Sequence, residues 1–109
     1  MKKGDMMIKV SVFYPKTTNA EFDMDYYCNQ HIPMLRGLLG SACTNVAVEA
    51  GICGATPSDR APNIAMGHLY FDSLAKFQEA FGPNAEKIMS DLPNFTNVAP
   101  AIQISEVIM

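Results

Sequence analysis

Residues 22–33, FDMDYYCNQHIP, set Tyr27 and His31 four positions apart and follow them closely with Pro33. Residues at i and i+4 share one face of a helix, so a phenol and an imidazole meet there. Pro33 has no N–H to give the carbonyl of Asn29, and its ring crowds that carbonyl. The regular helix is therefore expected to bend or end beside His31. Asp23 is the expected N-cap, and Asp25 falls in the first turn, where the helix dipole favours an acid. The helix is expected to run to about Leu39, with Tyr27, Met34, Leu35 and Leu38 on its apolar side and Gly40 as a positive-φ stop. A titratable ring beside a broken hydrogen-bond ladder is a candidate site. The plain alternative is a half-buried core tyrosine next to a surface histidine.

Upstream, Ile8, Val10, Val12 and Tyr14 alternate with Lys9, Ser11 and Phe13, which predicts a strand over Met6–Tyr14 that Pro15 ends. Downstream, a strand is predicted over Ala42–Ala50, with Thr44, Val46 and Val48 on one side and Asn45, Ala47 and Glu49 on the other. Gly51–Asn63 reads as a loop, long enough to be a lid, a mobile segment or a tolerated insertion. The third strand, Ile64–Asp72, is apolar on both sides and is expected to be central. Ser73 is expected to cap a helix through Phe81, interrupted by Gly82-Pro83-Asn84, and Asn84 to cap a further piece carrying Ile88, Met89 and Leu92. A last strand covers Ala101–Ile108.

The order β-α-β-β-α-β describes an α+β, ferredoxin-like plait over residues 1–109, taken as one domain. Two helices then cover one face of a four-stranded antiparallel sheet. The other face is expected to carry Ser11, Phe13, Asn45, Ala47, Leu69, Phe71, Gln103, Ser105 and Val107. That mixture is too apolar to stay wet and too polar for a core, so pairing with a second copy is the expected solution, a homodimer.

Composition narrows the function classes. The 109 residues carry 11 acids and 8 bases, a net charge of −3, with no basic stripe to neutralise phosphates, so nucleic acid is not an expected partner. No apolar run approaches the length of a membrane span, and Met1–Asp5 does not lead into a signal-peptide core, so the expected location is cytoplasmic, with no membrane partner. Cys28, Cys43 and Cys53 are read as free thiols in a reducing compartment.

The segments YPKTTNAEFDMDYYCNQHIPML, HLYFDSLAKFQEAF and DLPNFTNVAPAIQISEVI together resemble the EthD family. That family belongs to the dimeric α+β barrel superfamily, whose ferredoxin-like subunits pair sheet to sheet. The resemblance spans about Val10 to Val107, and it places the family's tyrosine and histidine pattern on Tyr26, Tyr27 and His31, with Pro33, Asn94 and Phe95 alongside. It implies an association with ether degradation beside a cytochrome P450 system. Related barrels include cofactor-free monooxygenases, isomerases, polyketide cyclases and haem-degrading enzymes.

In such barrels the cleft lies between helices and sheet, so the candidate catalytic pair is His31 as general base with Tyr27 orienting it or donating to a developing enolate. Tyr26, Tyr14, Met34, Met66, His68, Tyr70 and Phe95 are the candidate ligand-binding residues. His68 is either a second acid or base or a hydrogen-bonded core histidine. Cys28 and His31 could supply half a metal site, but a full ligand set is not expected, and neither are haem, a nucleotide or any other cofactor. The expected ligand is a small hydrophobic or aromatic metabolite, and the chemistry is cofactor-free proton transfer or oxygenation. The rivals are a non-catalytic carrier serving a partner oxygenase and a structural or stress-related dimer.

Overall fold

The computed structural model describes residues 7–109; Met6, the expected first residue of the first strand, and Met1–Asp5 lie outside them. Strand β1 covers Ile8–Pro15, β2 Cys43–Ala50, β3 Asn63–Phe71 and β4 Ala101–Glu106. They form one antiparallel sheet in the order β2-β3-β1-β4, so β3 is central as the sequence predicts. The last strand ends at Glu106 rather than Ile108.

The first helix has three parts: α1, Met24–Tyr26; a π turn, Tyr27–His31; and α2, Ile32–Leu39. The Asp23 side chain caps its start by accepting from the Tyr26 N–H at 3.0 Å. Within the π turn the Ile32 N–H donates to the Tyr27 carbonyl, five residues back. This wider turn opens the backbone just ahead of Pro33, whose ring would otherwise press on the carbonyl four residues before it. Pro33 then sits in the first turn of α2, where its missing N–H costs nothing. Gly40 ends the helix with φ 61°, a conformation that glycine adopts without a Cβ penalty.

On the same side of the sheet lie α3, Leu74–Phe81, and α4, Ala85–Ser90. Ser73 caps α3 by accepting from the Lys76 N–H. Asn84 does not cap α4 with its side chain. Instead its Nδ2 donates to the carbonyls of Leu38 and Ala80, tying the end of α2 to the end of α3.

Register overturns one expectation. Val10 pairs with Leu69 and Ile8 with Phe71, and paired residues share a face, so Leu69 and Phe71 point at the helices. Phe71 is 0% exposed in the core of Ile8, Val10, Leu35, Leu39, Phe77 and Ile88. The open face carries Met66, His68 and Tyr70 in their place, beside Lys9, Ser11 and Phe13 of β1 and Asn45, Ala47 and Glu49 of β2. Both sides of β3 are apolar, so its alternation alone does not say which side meets the helices. No helix among the described residues is long and apolar enough to cross a membrane.

Candidate functional site

The π turn stacks Tyr27 and His31, with ring centroids 5.5 Å apart and planes 15° from parallel. Both rings are buried, at 2% and 3% exposure. Tyr14, at the far end of β1, meets the Tyr27 ring edge-on at 5.6 Å. Gly67 of β3 makes this arrangement possible: a Cβ there would collide with the Tyr27 hydroxyl. The phenol therefore lies across the strand where any other residue would push it off.

Phe95 is the hub behind these rings, 4.6 Å from His31, 5.1 Å from Tyr27 and 5.4 Å from Phe22. Its segment is fastened to the chain entering the first helix. The Asp23 N–H donates to the Phe95 carbonyl at 2.7 Å, and the Thr96 hydroxyl donates to the Glu21 carbonyl at 2.7 Å.

Asp91, a residue the sequence did not single out, organises the site. Its Oδ2 lies 2.9 Å from His31 Nδ1, and its Oδ1 accepts from the Tyr26 hydroxyl and from Asn94 Nδ2, each at 2.8 Å. Partial burial on its own raises the Asp91 carboxyl. The hydrogen bonds from Asn94, His31 and Tyr26, together with the attraction of the His31 ring whenever it is protonated, outweigh it and hold the group below the ordinary carboxylate value. An ionised carboxylate only accepts, so Nδ1 of His31 carries the proton and Nε2 of the neutral ring is the basic nitrogen. Nε2 makes no hydrogen bond among the described residues, and since no buried side-chain nitrogen or oxygen there lacks a partner, Nε2 keeps some accessible surface.

His31 borders a cleft of about 80 Å³ between sheet and helices, together with Tyr14 and Tyr27. The remaining walls are apolar, including Val12 and Leu69 of the sheet, Leu35 of α2, Phe77 of α3 and Ile88 of α4. Burial, together with the nearby Tyr27 phenol, pushes Tyr14 well above the ordinary phenol range. Burial raises Tyr27 as well, against a partial lowering from the Tyr14 hydroxyl. Both phenols stay protonated and able to donate at physiological pH.

The structure thus brings Tyr14, Tyr27 and His31 to one cleft. Tyr26 sits behind it, and its phenol is raised by the hydrogen bond to Asp91. Phe95 supports the rings without bordering the cleft, and Met34 packs against the main core. Met66, His68 and Tyr70 are on the opposite sheet face, so they do not share the cleft with His31. There His68 is 5% exposed, with Nδ1 2.9 Å from the Ser11 hydroxyl and Nε2 3.2 Å from Glu49 Oε1. No residue of the 51–63 loop borders the cleft. Among the described residues no group of three or more His, Cys, Asp or Glu is placed to hold a metal ion.

Residues 15–99 match the family profile described as EthD domain. The fold is similar to that of an EthD-like protein from Ralstonia eutropha JMP134, with 41% identity, 96% of this chain and 95% of that one covered, and a TM-score of 0.91. An ethyl tert-butyl ether D (EthD) family protein from Bacillus halodurans C-125 matches at 18% identity over 94% of this chain and 100% of its own, TM-score 0.66. SnoaB, a cofactor-independent oxygenase from Streptomyces nogalater, shares the fold at 7% identity over 96% of this chain and 95% of its own, TM-score 0.61. No curated protein matches the sequence.

Because the Asp91 carboxyl is held low by its partners, the stability it contributes is full above the ordinary carboxyl range and is lost as pH falls through its folded value. Asp91→Asn is expected to cost about 1–2 kcal/mol at pH 7 in urea unfolding, and the gap to narrow progressively as pH falls below the ordinary carboxyl range. Parallel stability curves for the two proteins over pH 5 to 2 would contradict the assignment.

Proposed function

The chain belongs to the EthD domain family, and from that membership and the His31 cleft we propose that it binds a small hydrophobic or aromatic molecule and removes a proton from it without a cofactor. The observation that carries this reading is the division of labour on one imidazole. Nδ1 is fixed by Asp91 at 2.9 Å, and the ring, with Nε2 left unbonded, borders an oily cleft. The neutral ring accepts a proton from an activated carbon or a phenol at Nε2, and the Asp91 carboxylate stabilises the imidazolium that results. The anion left behind gains hydrogen bonds from Tyr14 and Tyr27, whose phenols keep their protons. Two outcomes then balance. The anion takes the proton back at another carbon, an isomerisation, or its electron pair forms a C–O bond with dioxygen, and the resulting peroxide anion takes the proton from His31. The apolar walls exclude water and strengthen each of these interactions.

The test uses 4-nitrophenol at a pH where the free dye is mostly protonated. Binding to the wild-type protein is expected to shift bound dye toward its yellow phenolate, and His31→Gln to bind dye without that shift. Proton-transfer rates on a carbon-acid ligand should fall about 10²–10⁴-fold in the same variant. Bound dye that stays protonated in the wild type would contradict base chemistry and leave a carrier.

Two copies of the chain pair through the open sheet face as part of the same reading. Several of its polar groups are already hydrogen-bonded to one another, Ser11 to His68, His68 to Glu49, and Gln103 to Ser105, so covering those leaves each with a partner. Half-buried Phe13 and Tyr70 supply apolar area there. Sedimentation of the wild type should give a dimer that Phe13→Asp dissociates; a wild-type protomer at all concentrations would overturn the pairing.

A further inference from the structure

The cleft is apolar almost throughout, and its few polar atoms belong to the three most buried rings that line it. Tyr14, Tyr27 and His31, each 2–3% exposed, form the inner end. Pro100, Ile102 of β4 and Met89 of α4 form the mouth, where Ile102 is 51% and Met89 39% exposed. Every other side chain lining the cleft is apolar, so no charged group meets a ligand inside it. A ligand that arrives already charged finds no counter-ion there while the His31 ring is neutral, so the group that enters is neutral and carries one hydroxyl or carbonyl.

Volume adds a second constraint. At about 80 Å³ the cleft is well below the roughly 300–1,000 Å³ of sites that enclose a drug-sized ligand. It takes the reacting end of a molecule and leaves the rest outside. Outside the mouth the apolar surface continues. Residues two apart on a strand share a face, so Ile104 stands about 7 Å beyond Ile102 on the helix-facing side of β4. Register agrees, with Ile102 opposite Val12 and Ile104 opposite Val10. Ile104 is 45% exposed, because β4 is the edge strand and the helices do not reach over it.

We propose that the ligand is a neutral amphiphile, with a compact ring bearing a hydroxyl or carbonyl held at His31 and an alkyl tail laid along Ile102 and Ile104. The assignment rests on the proton-transfer reading of the same cleft and adds to it the chemical class of the ligand. A tail on this strip loses water on one side only. Each methylene then tightens binding about twofold, against about fourfold for a methylene buried on all sides.

The experiment titrates 4-ethyl-, 4-butyl- and 4-hexylphenol against the full chain by calorimetry, in the wild type, in Ile102→Asn/Ile104→Asn and in His31→Gln. The wild type should gain about twofold in Kd per methylene, and the double variant should bind the ethyl compound while losing the gain along the series. His31→Gln should keep the chain-length gain. Equal Kd values along the wild-type series would overturn the tail assignment while leaving the His31 end intact. An unchanged slope in the double variant would send the tail elsewhere and equally overturn it. A flat series together with a change of sedimenting mass in the double variant would assign the strip to a second copy. Failure of every phenol to bind would remove both this assignment and the reading it rests on.

Discussion

One carboxylate holds the site together. Asp91 receives Tyr26 from the start of the first helix, His31 from its π turn and Asn94 from its own turn. These contacts bind a segment near the C-terminus to one near the N-terminus, across 60 or more residues of chain. The order of the contacts matters chemically as well as mechanically. A carboxylate on Nδ1 chooses the tautomer, and the tautomer decides which nitrogen faces the cleft. Without Asp91 the imidazole would still be buried, but nothing would select the basic nitrogen.

The helix irregularity and the glycine serve the same geometry. Regular α-helix carried through Pro33 would set its ring against the carbonyl of Asn29. The π turn removes that conflict, and it falls on the five residues that begin with Tyr27 and end with His31. Gly67 then lets the Tyr27 hydroxyl settle across β3. A helical defect and a missing Cβ, each unfavourable alone, meet at the one place where two rings must share a small space.

Much of this was legible in the sequence. Period-two alternation located the strands, Asp23 and Ser73 located two helix starts, and the Tyr27-to-Pro33 spacing marked the irregular turn. The misplaced items have specific physical causes. The two sides of β3 are equally apolar, so Leu69 and Phe71 could be assigned to a face only through their pairing with Val10 and Ile8. Once β3 turns over, Met66, His68 and Tyr70 leave the cleft together. Gly67 held a clue, since a glycine inside a central strand signals something pressing on the backbone. Asp91 was out of reach because its partners lie far away in the chain; its one local sign was an acid directly before Leu-Pro-Asn-Phe, in a turn that the helix pattern could not orient. Asn84 looked like an N-cap because such residues favour caps, yet its amide found two carbonyls at neighbouring helix ends.

The account stands on the protonation pattern of the His31 ring. Long-range ¹H–¹⁵N NMR of the imidazole, at a pH above its titration, reads that pattern directly. The account predicts a protonated Nδ1 and a bare, acceptor-type Nε2 in the wild type, with the two forms mixing in Asp91→Asn. A proton on Nε2 in the wild-type protein would contradict it, because the cleft would then face a donor where the chemistry needs a base.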